Sequence, residues 1–223
     1  MIDGGNPLTK MLGNIVKRYE DMEKRVARLE TLEYSSFLAG GWVEIETVTV
    51  NASVNLITIN NIPDDFLHLF VMINSRTDST MCDGLTMIIN NDAGNSYWYH
   101  RGYACDACTL ACLTSFTGLA TSINMGSKPG ASFAGTPLYN DIFGVCTIWI
   151  PDYRCIYKHK SVLFDNYWPC ADGDEINPII CRTWGGGTWH SNAAITRLDF
   201  PVRFIKNSKI SVYGIGGTYE CHA

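Results

Sequence analysis

Two periods of hydrophobic residues run through this chain. Between Leu8 and Leu29 apolar side chains recur with heptad spacing: Leu8, Ile15, Met22 and Leu29 at d, Leu12, Tyr19 and Val26 at a. All seven seam positions are apolar, the narrow stripe of a helix that packs on other helices. Asn6-Pro7 supplies the start, with Asn as N-cap and Pro in the first turn. Arg18 and Arg25 fall at g, and Glu23 and Glu30 fall at e of the next heptad, so a parallel bundle pairs them between chains with opposite sign. Leu at a with Ile at d leans toward three or four strands rather than two. The alternative is an amphipathic helix lying on its own domain; the dense charge on the other faces favours a helix that stands away from the body. Ser35-Ser36 and Gly40-Gly41 end the segment as a hinge.

From Trp42 onward the period changes to two. The β-branched and aromatic runs are 42–50, 54–60, 66–75, 85–90, 96–100, 143–150, 193–200 and 209–215, separated by Asn, Asp and Gly clusters that include Gly185-Gly186-Gly187. Many short strands with such punctuation predict an antiparallel β-sandwich of jelly-roll type. The expected organisation is a coiled-coil stalk and hinge over 1–41 and a β-sandwich head over 42–223. Within the head, 101–142 reads as a long irregular insertion with one short helix, because small residues dominate and no period is clear. The stretch "FLHLFVMIN" is apolar on both faces, with Leu67, Leu69, Val71 and Ile73 on one and Phe66, Phe70 and Met72 on the other. One face suffices for a sandwich core, so the second is expected to meet a neighbouring subunit. His68 on that face reads as a packed histidine rather than a ligand. A coil of three heptads is marginal alone, so the heads of a homotrimer should also touch.

Charge sharpens this division. Residues 1–35 hold twelve of the 39 Lys, Arg, Asp and Glu residues, while the remaining 188 residues hold 27. The net charge of −5 disfavours nucleic acid as a partner. No run of about 18 apolar residues exists to insert into a membrane, and the opening "MIDGGNPLTK" lacks the form of a secretory leader. The expectation is a soluble protein made in a cytoplasm.

The chain has nine cysteines: Cys82, Cys105, Cys108, Cys112, Cys146, Cys155, Cys170, Cys181 and Cys221. An odd number cannot all pair within one chain. The C-x2-C-x3-C run of Cys105, Cys108 and Cys112 lacks a fourth ligand of its own for a metal, unless His100 or a remote cysteine supplies it. Free thiols, disulfides and a metal site all remain open here. Asp172, Asp174 and Glu175 do not meet EF-hand spacing and read as a solvated turn. A polysaccharide hydrolase would need two carboxylates about 5–10 Å apart in a cleft, and Asp64, Asp65 and the 172–175 cluster are the notable acidic groups. No nucleophile-elbow or zinc-protease motif is present, so the reading is not an enzyme, with no cofactor and no metal. Trp98, Tyr103, Trp168, Trp184 and Trp189 lie near expected loops, where aromatic faces can stack on sugars; the competing role for each is core or subunit interface.

Three phrases taken in order resemble a β-sandwich domain of bacteriophage fibres and appendages. They are "SRTDSTMCDGLTMIINNDAGNSYWYH" (75–100), "WIPDYRCIYKHKSVLF" (149–164) and "GGTWHSNAAITRLDF…SKISVYGIGG" (186–217). The resemblance spans about 42–217, and a short coiled coil before the domain is typical of the group. It implies a virion protein, commonly trimeric, assembled in the host cytoplasm and fixed through its stalk to another virion protein. A tail fibre that touches a host surface glycan is the first expectation; a capsid head fibre or decoration protein with no receptor role is the second. The resemblance brings no catalytic residues. The nine cysteines and the 101–142 segment depart from the pattern. A virion meets oxidising surroundings, which makes disulfides plausible, with Cys221 near the chain end the candidate for a bond to another protein. Its characteristic residues read as architectural: a hairpin turn with positive φ in "NDAGNSY", buried rings with hydroxyls on backbone acceptors at Tyr153 and Tyr213, and close backbone approach at the glycines before Trp189.

Overall fold

The computed structural model describes residues 41–76, 84–105, 112–127, 143–170 and 179–217. The heptad seam from Leu8 to Leu29 and the pairs Arg18–Glu23 and Arg25–Glu30 lie outside the described residues, as do Cys82, Cys108, Cys221 and the acidic cluster at Asp172. The chain divides between Trp42 and Val43.

The described residues form twelve strands and no helix: β1 (Trp42–Thr49), β2 (Ile57–Ile59), β3 (His68–Ser75), β4 (Gly84–Ile89), β5 (Tyr97–Cys105), β6 (Cys112–Ala120), β7 (Ile123–Ser127), β8 (Gly144–Ile150), β9 (Lys160–Cys170), β10 (Ile179–Trp189), β11 (Leu198–Phe200) and β12 (Lys209–Ile215). An eight-stranded sheet runs β1-β12-β3-β8-β9-β10-β5-β6, and a four-stranded sheet runs β2-β11-β4-β7. The pairings in register are antiparallel. The protein is mainly β, and both sheets contribute to one core.

Alternation explains which face each strand buries. On β3, Leu69, Val71 and Ile73 are fully buried; on β8, Cys146, Ile148 and Ile150 are. Register aligns them, with Val71 between Val212 and Ile148. Leu85, Met87 and Ile89 of β4, Ile123 and Met125 of β7, and Leu198 and Phe200 of β11 close the core from the smaller sheet. Each such side chain contributes about 1.5–3 kcal/mol by leaving water.

Three expectations need correction. First, Gly185-Gly186-Gly187 is not a turn but the middle of β10. A Cβ at Gly185 would fall within contact distance of the His100 carbonyl oxygen, and one at Gly187 would lie 2.9 Å from the Trp98 carbonyl oxygen and 3.2 Å from Ile123 Cδ1. Glycine lets β5, β10 and β7 approach where a side chain would hold them apart. Second, β9 and β10 are the longest strands, yet neither was expected. Third, the end of β5, all of β6 and all of β7 occupy much of 101–127, where an irregular insertion was expected. At the other extreme, 54–60 and 193–200 contain strands of only three residues, Ile57–Ile59 and Leu198–Phe200.

Candidate binding surface

The smaller sheet covers one face of the larger one. The other face, over β3, β8, β9, β10 and β5, carries the side chains that alternate with the core residues. Register sets them in rows. One row runs Phe70, Trp149, Leu163, Gly186, His100, and the next Met72, Thr147, Asp165, Trp184, Gly102; a third runs Asn74, Val145, Tyr167, Arg182, Ala104. Met72, Val145, Leu163 and Tyr167 are exposed, and Leu163 retains 56% of its surface.

The polar groups on this face largely neutralise one another. Arg182 donates from Nε to Asp165 Oδ1 at 2.9 Å and from Nη2 to Oδ2 at 2.6 Å, a bidentate pair. Its guanidinium lies 4.9 Å from the Tyr167 ring centroid and 5.3 Å from that of Trp184, within cation–π range of both. Trp184 lies against Gly102 of β5, where an added Cβ would be 2.7 Å from its Cε2 and Cζ2. His68 packs against Trp149 with centroids 5.0 Å apart, and its Nδ1 accepts from the Asp152 amide at 3.2 Å. It is a packed histidine with a structural hydrogen bond.

A second aromatic group lies at one end of β5, β9 and β10. Trp98 of β5 stands 4.8 Å from His190, just beyond β10, and His190 stacks 4.9 Å from His159, just before β9. Trp98 retains 48% of its surface and both histidines are exposed. The backbone beneath is tightly held. The buried Lys160 ammonium donates to the carbonyls of Cys155, Lys158 at 2.9 Å and Asn192 at 3.4 Å, tying the chain before β9 to the chain after β10. The His190 amide donates to the Ser96 carbonyl at 2.8 Å. Desolvation, and then the neighbouring Lys158 charge, lower the Lys160 pKa.

Other residues with a functional look are architectural. Asn90, with φ of 51°, accepts at Oδ1 from the Thr196 amide at 2.9 Å and the Arg197 amide at 3.0 Å, and donates from Nδ2 to the Ala194 carbonyl at 2.8 Å. Asn91 shares the positive φ, but the hairpin expected in "NDAGNSY" is not formed: β4 and β5 belong to different sheets, and the two asparagines turn the chain from one sheet to the other. Asp92 accepts from Trp189 Nε1 at 2.8 Å, which holds its carboxyl below the usual carboxylate range. Tyr97 donates to the Ile89 carbonyl at 3.2 Å and accepts from the Ile89 amide at 2.8 Å. Tyr153 donates to the Pro63 carbonyl, and burial pushes its phenol up to about 12. Tyr213, expected to be buried in the same way, is half-exposed.

Of the five aromatics expected to face a receptor, Trp98 is exposed and Trp184 is half-buried on the open face. Tyr103 is half-buried, 5.8 Å from Trp168. Trp168 and Trp189 are 2% exposed and offer no ring to a ligand. His159, His190, Tyr167 and Arg182 belong to the surface and were not singled out from sequence. Cys146 is a buried free thiol, raised in pKa by desolvation. Cys155 and Cys181 are also buried, Cys181 with Sγ 3.4 Å from the Tyr103 hydroxyl. The backbones of Cys105 and Cys181 face one another across β5 and β10. Asp64 and Asp65 are exposed, and among the described residues no three His, Cys, Asp or Glu side chains gather in a metal-holding group.

No family model, curated protein or solved structure matches this chain.

Proposed function

We propose that this chain is a structural protein of a bacteriophage virion, a short trimeric tail fibre. In this reading the N-terminal helices form a parallel coiled coil that fastens the fibre to another virion protein. The jelly-roll-like head contacts the host surface and its glycans. The observation that carries the reading is the open face of the eight-stranded sheet. Phe70, Met72, Val145, Trp149, Leu163 and Trp184 lie on it together, with one internally paired charge couple among them. Contiguous apolar surface of this kind marks a site of association. The order of the sequence phrases and the antiparallel two-sheet body support the same reading. Covalent staples belong to the proposal as well: nine cysteines in one chain suit a particle that leaves a reducing cytoplasm.

Light scattering on the full-length protein tests the assembly. The expected mass is three times the 24.8 kDa of one chain. The double substitution Ile15→Asp, Met22→Asp should lower it by placing charge in the seam. A wild-type monomer would overturn the fibre. A trimer retained by no bacterial surface polysaccharide would move the assignment to a capsid head fibre or decoration protein.

A further inference from the structure

We infer that Trp98, His190 and His159 form a saccharide-binding platform, the place where the head grips a sugar chain. This deepens the host-contact reading and rests on it. Three observations converge. The rings form a continuous ladder, 4.8 Å from Trp98 to His190 and 4.9 Å from His190 to His159, and all three are exposed. They come from β5 and from the residues just beyond β10 and just before β9, so the ladder runs along the end of three neighbouring strands and offers a row rather than a single ring. The backbone carrying them is fixed in advance: buried Lys160 bridges the segments bearing the two histidines, and the His190 amide is bonded to the segment that leads into Trp98. The backbone need not be ordered when a ligand arrives, so that part of the entropic cost of binding is absent.

The chemistry suits a pyranose. One side of such a ring is a set of C–H bonds that packs on an indole face, and its edge is a set of hydroxyls. A neutral imidazole offers one donor and one acceptor, the pair that adjacent hydroxyls require. Two stacked imidazoles beside an indole therefore present an apolar floor with a hydrogen-bonding edge. Trp184 is a poorer candidate, because its ring is spent covering Gly102 and flanking Arg182.

The test uses the full-length protein and an array of bacterial surface saccharides, followed by NMR titration with the best-retained one. The sugar should shift the Trp98 indole N–H and the ring C–H signals of His159 and His190, and leave the Trp184 indole unmoved. Trp98→Ala and His190→Ala should each weaken binding at least tenfold, with urea unfolding midpoints close to wild type. Retained binding with unchanged signals at the three rings would overturn the platform while leaving host contact standing. If the wild type binds no saccharide on the array, platform and host-contact reading fall together, even where the trimer persists.

Discussion

A methyl group at Gly185 should open the sheet between β5 and β10. Gly185 pairs with Arg101 across that ladder and with Phe164 of β9 on its other side. The new Cβ would meet the His100 carbonyl oxygen inside contact distance, with Arg101 Cα and Phe164 Cζ each at 2.9 Å. The first two of these are backbone atoms, so a rotamer change cannot relieve the clash. Moving β5 away loosens about two ladder hydrogen bonds, at about 1 kcal/mol each, and overpacking adds about 1–3 kcal/mol. Alanine returns about 0.4–1 kcal/mol by restricting the unfolded chain. The balance is a loss of about 3 kcal/mol, a large share of the 5–15 kcal/mol typical of a domain.

Two other glycines serve as controls. At Gly217 an added Cβ meets nothing within 4 Å, so Gly217→Ala should be neutral or slightly stabilising. At Gly186 the nearest atoms are the Val162 carbonyl oxygen at 3.1 Å and the mobile Leu163 Cδ2 at 3.2 Å, so the cost should stay below about 1 kcal/mol. Urea unfolding followed by tryptophan fluorescence gives the three values on one scale. If Gly185→Ala unfolds at the wild-type midpoint, β10 does not run between β5 and β9 as described, and the rows of the binding surface lose their register.

Alkali should unfold the head. Burial raises the pKa of Tyr97, Tyr153 and Cys146, so the folded chain keeps three protons that the unfolded chain loses between pH 9 and 10; their stabilisation is complete below that range and is lost as pH rises. The slope above pH 10.5 is at most about 4 kcal/mol per pH unit. Lys160, with its lowered pKa, acts in the opposite sense but only below 10.5, where an unfolded lysine is still protonated. Urea midpoints that stay constant from pH 9 to 11.5 would refute this. Lys160→Met should cost about 2–3 kcal/mol by stranding the carbonyls of Cys155, Lys158 and Asn192, and the paired ring signals of His159 and His190 should separate in its NMR spectrum; an unaltered spectrum would show that the ammonium does not set the stack.

The elements legible in the sequence are those whose burial follows side-chain polarity. The run 209–215 coincides with β12, and 143–150 and 66–75 overlap β8 and β3, because Ile210, Val212, Ile148, Leu69 and Val71 alternate with outward residues. β9 breaks that rule. It buries Lys160 and Asn166 on the same side as Val162 and Phe164, so its inward positions are not uniformly apolar. Asn166 donates to the Met125 carbonyl at 3.1 Å, and Lys160 takes one of its three acceptors, the Asn192 carbonyl, from beyond β10. No local window contains those partners. β10 fails for a complementary reason. Glycine has no polarity to alternate, and three in a row read as a turn unless β5 and β7 are already known to crowd against them.

The binding surface shows the same division between local and remote causes. Trp98 could be singled out because it sits in an aromatic strand beside a turn. His159 and His190 could not, being far apart in sequence and individually ordinary. Their meeting follows from one register fact, the pairing of Lys160 with Trp189. In an antiparallel pair, the residue before one strand and the residue after the other become neighbours when the strands begin and end in step. "YKHK" and "TWHS" are then the two halves of a single signal: a histidine just before β9 and another just after β10, at the same end of the pair, with a buried lysine and a buried tryptophan immediately inside. The ladder is therefore a property of the β9–β10 pairing. A substitution that shifts this register by one residue should abolish the His159–His190 stack even though neither histidine is touched.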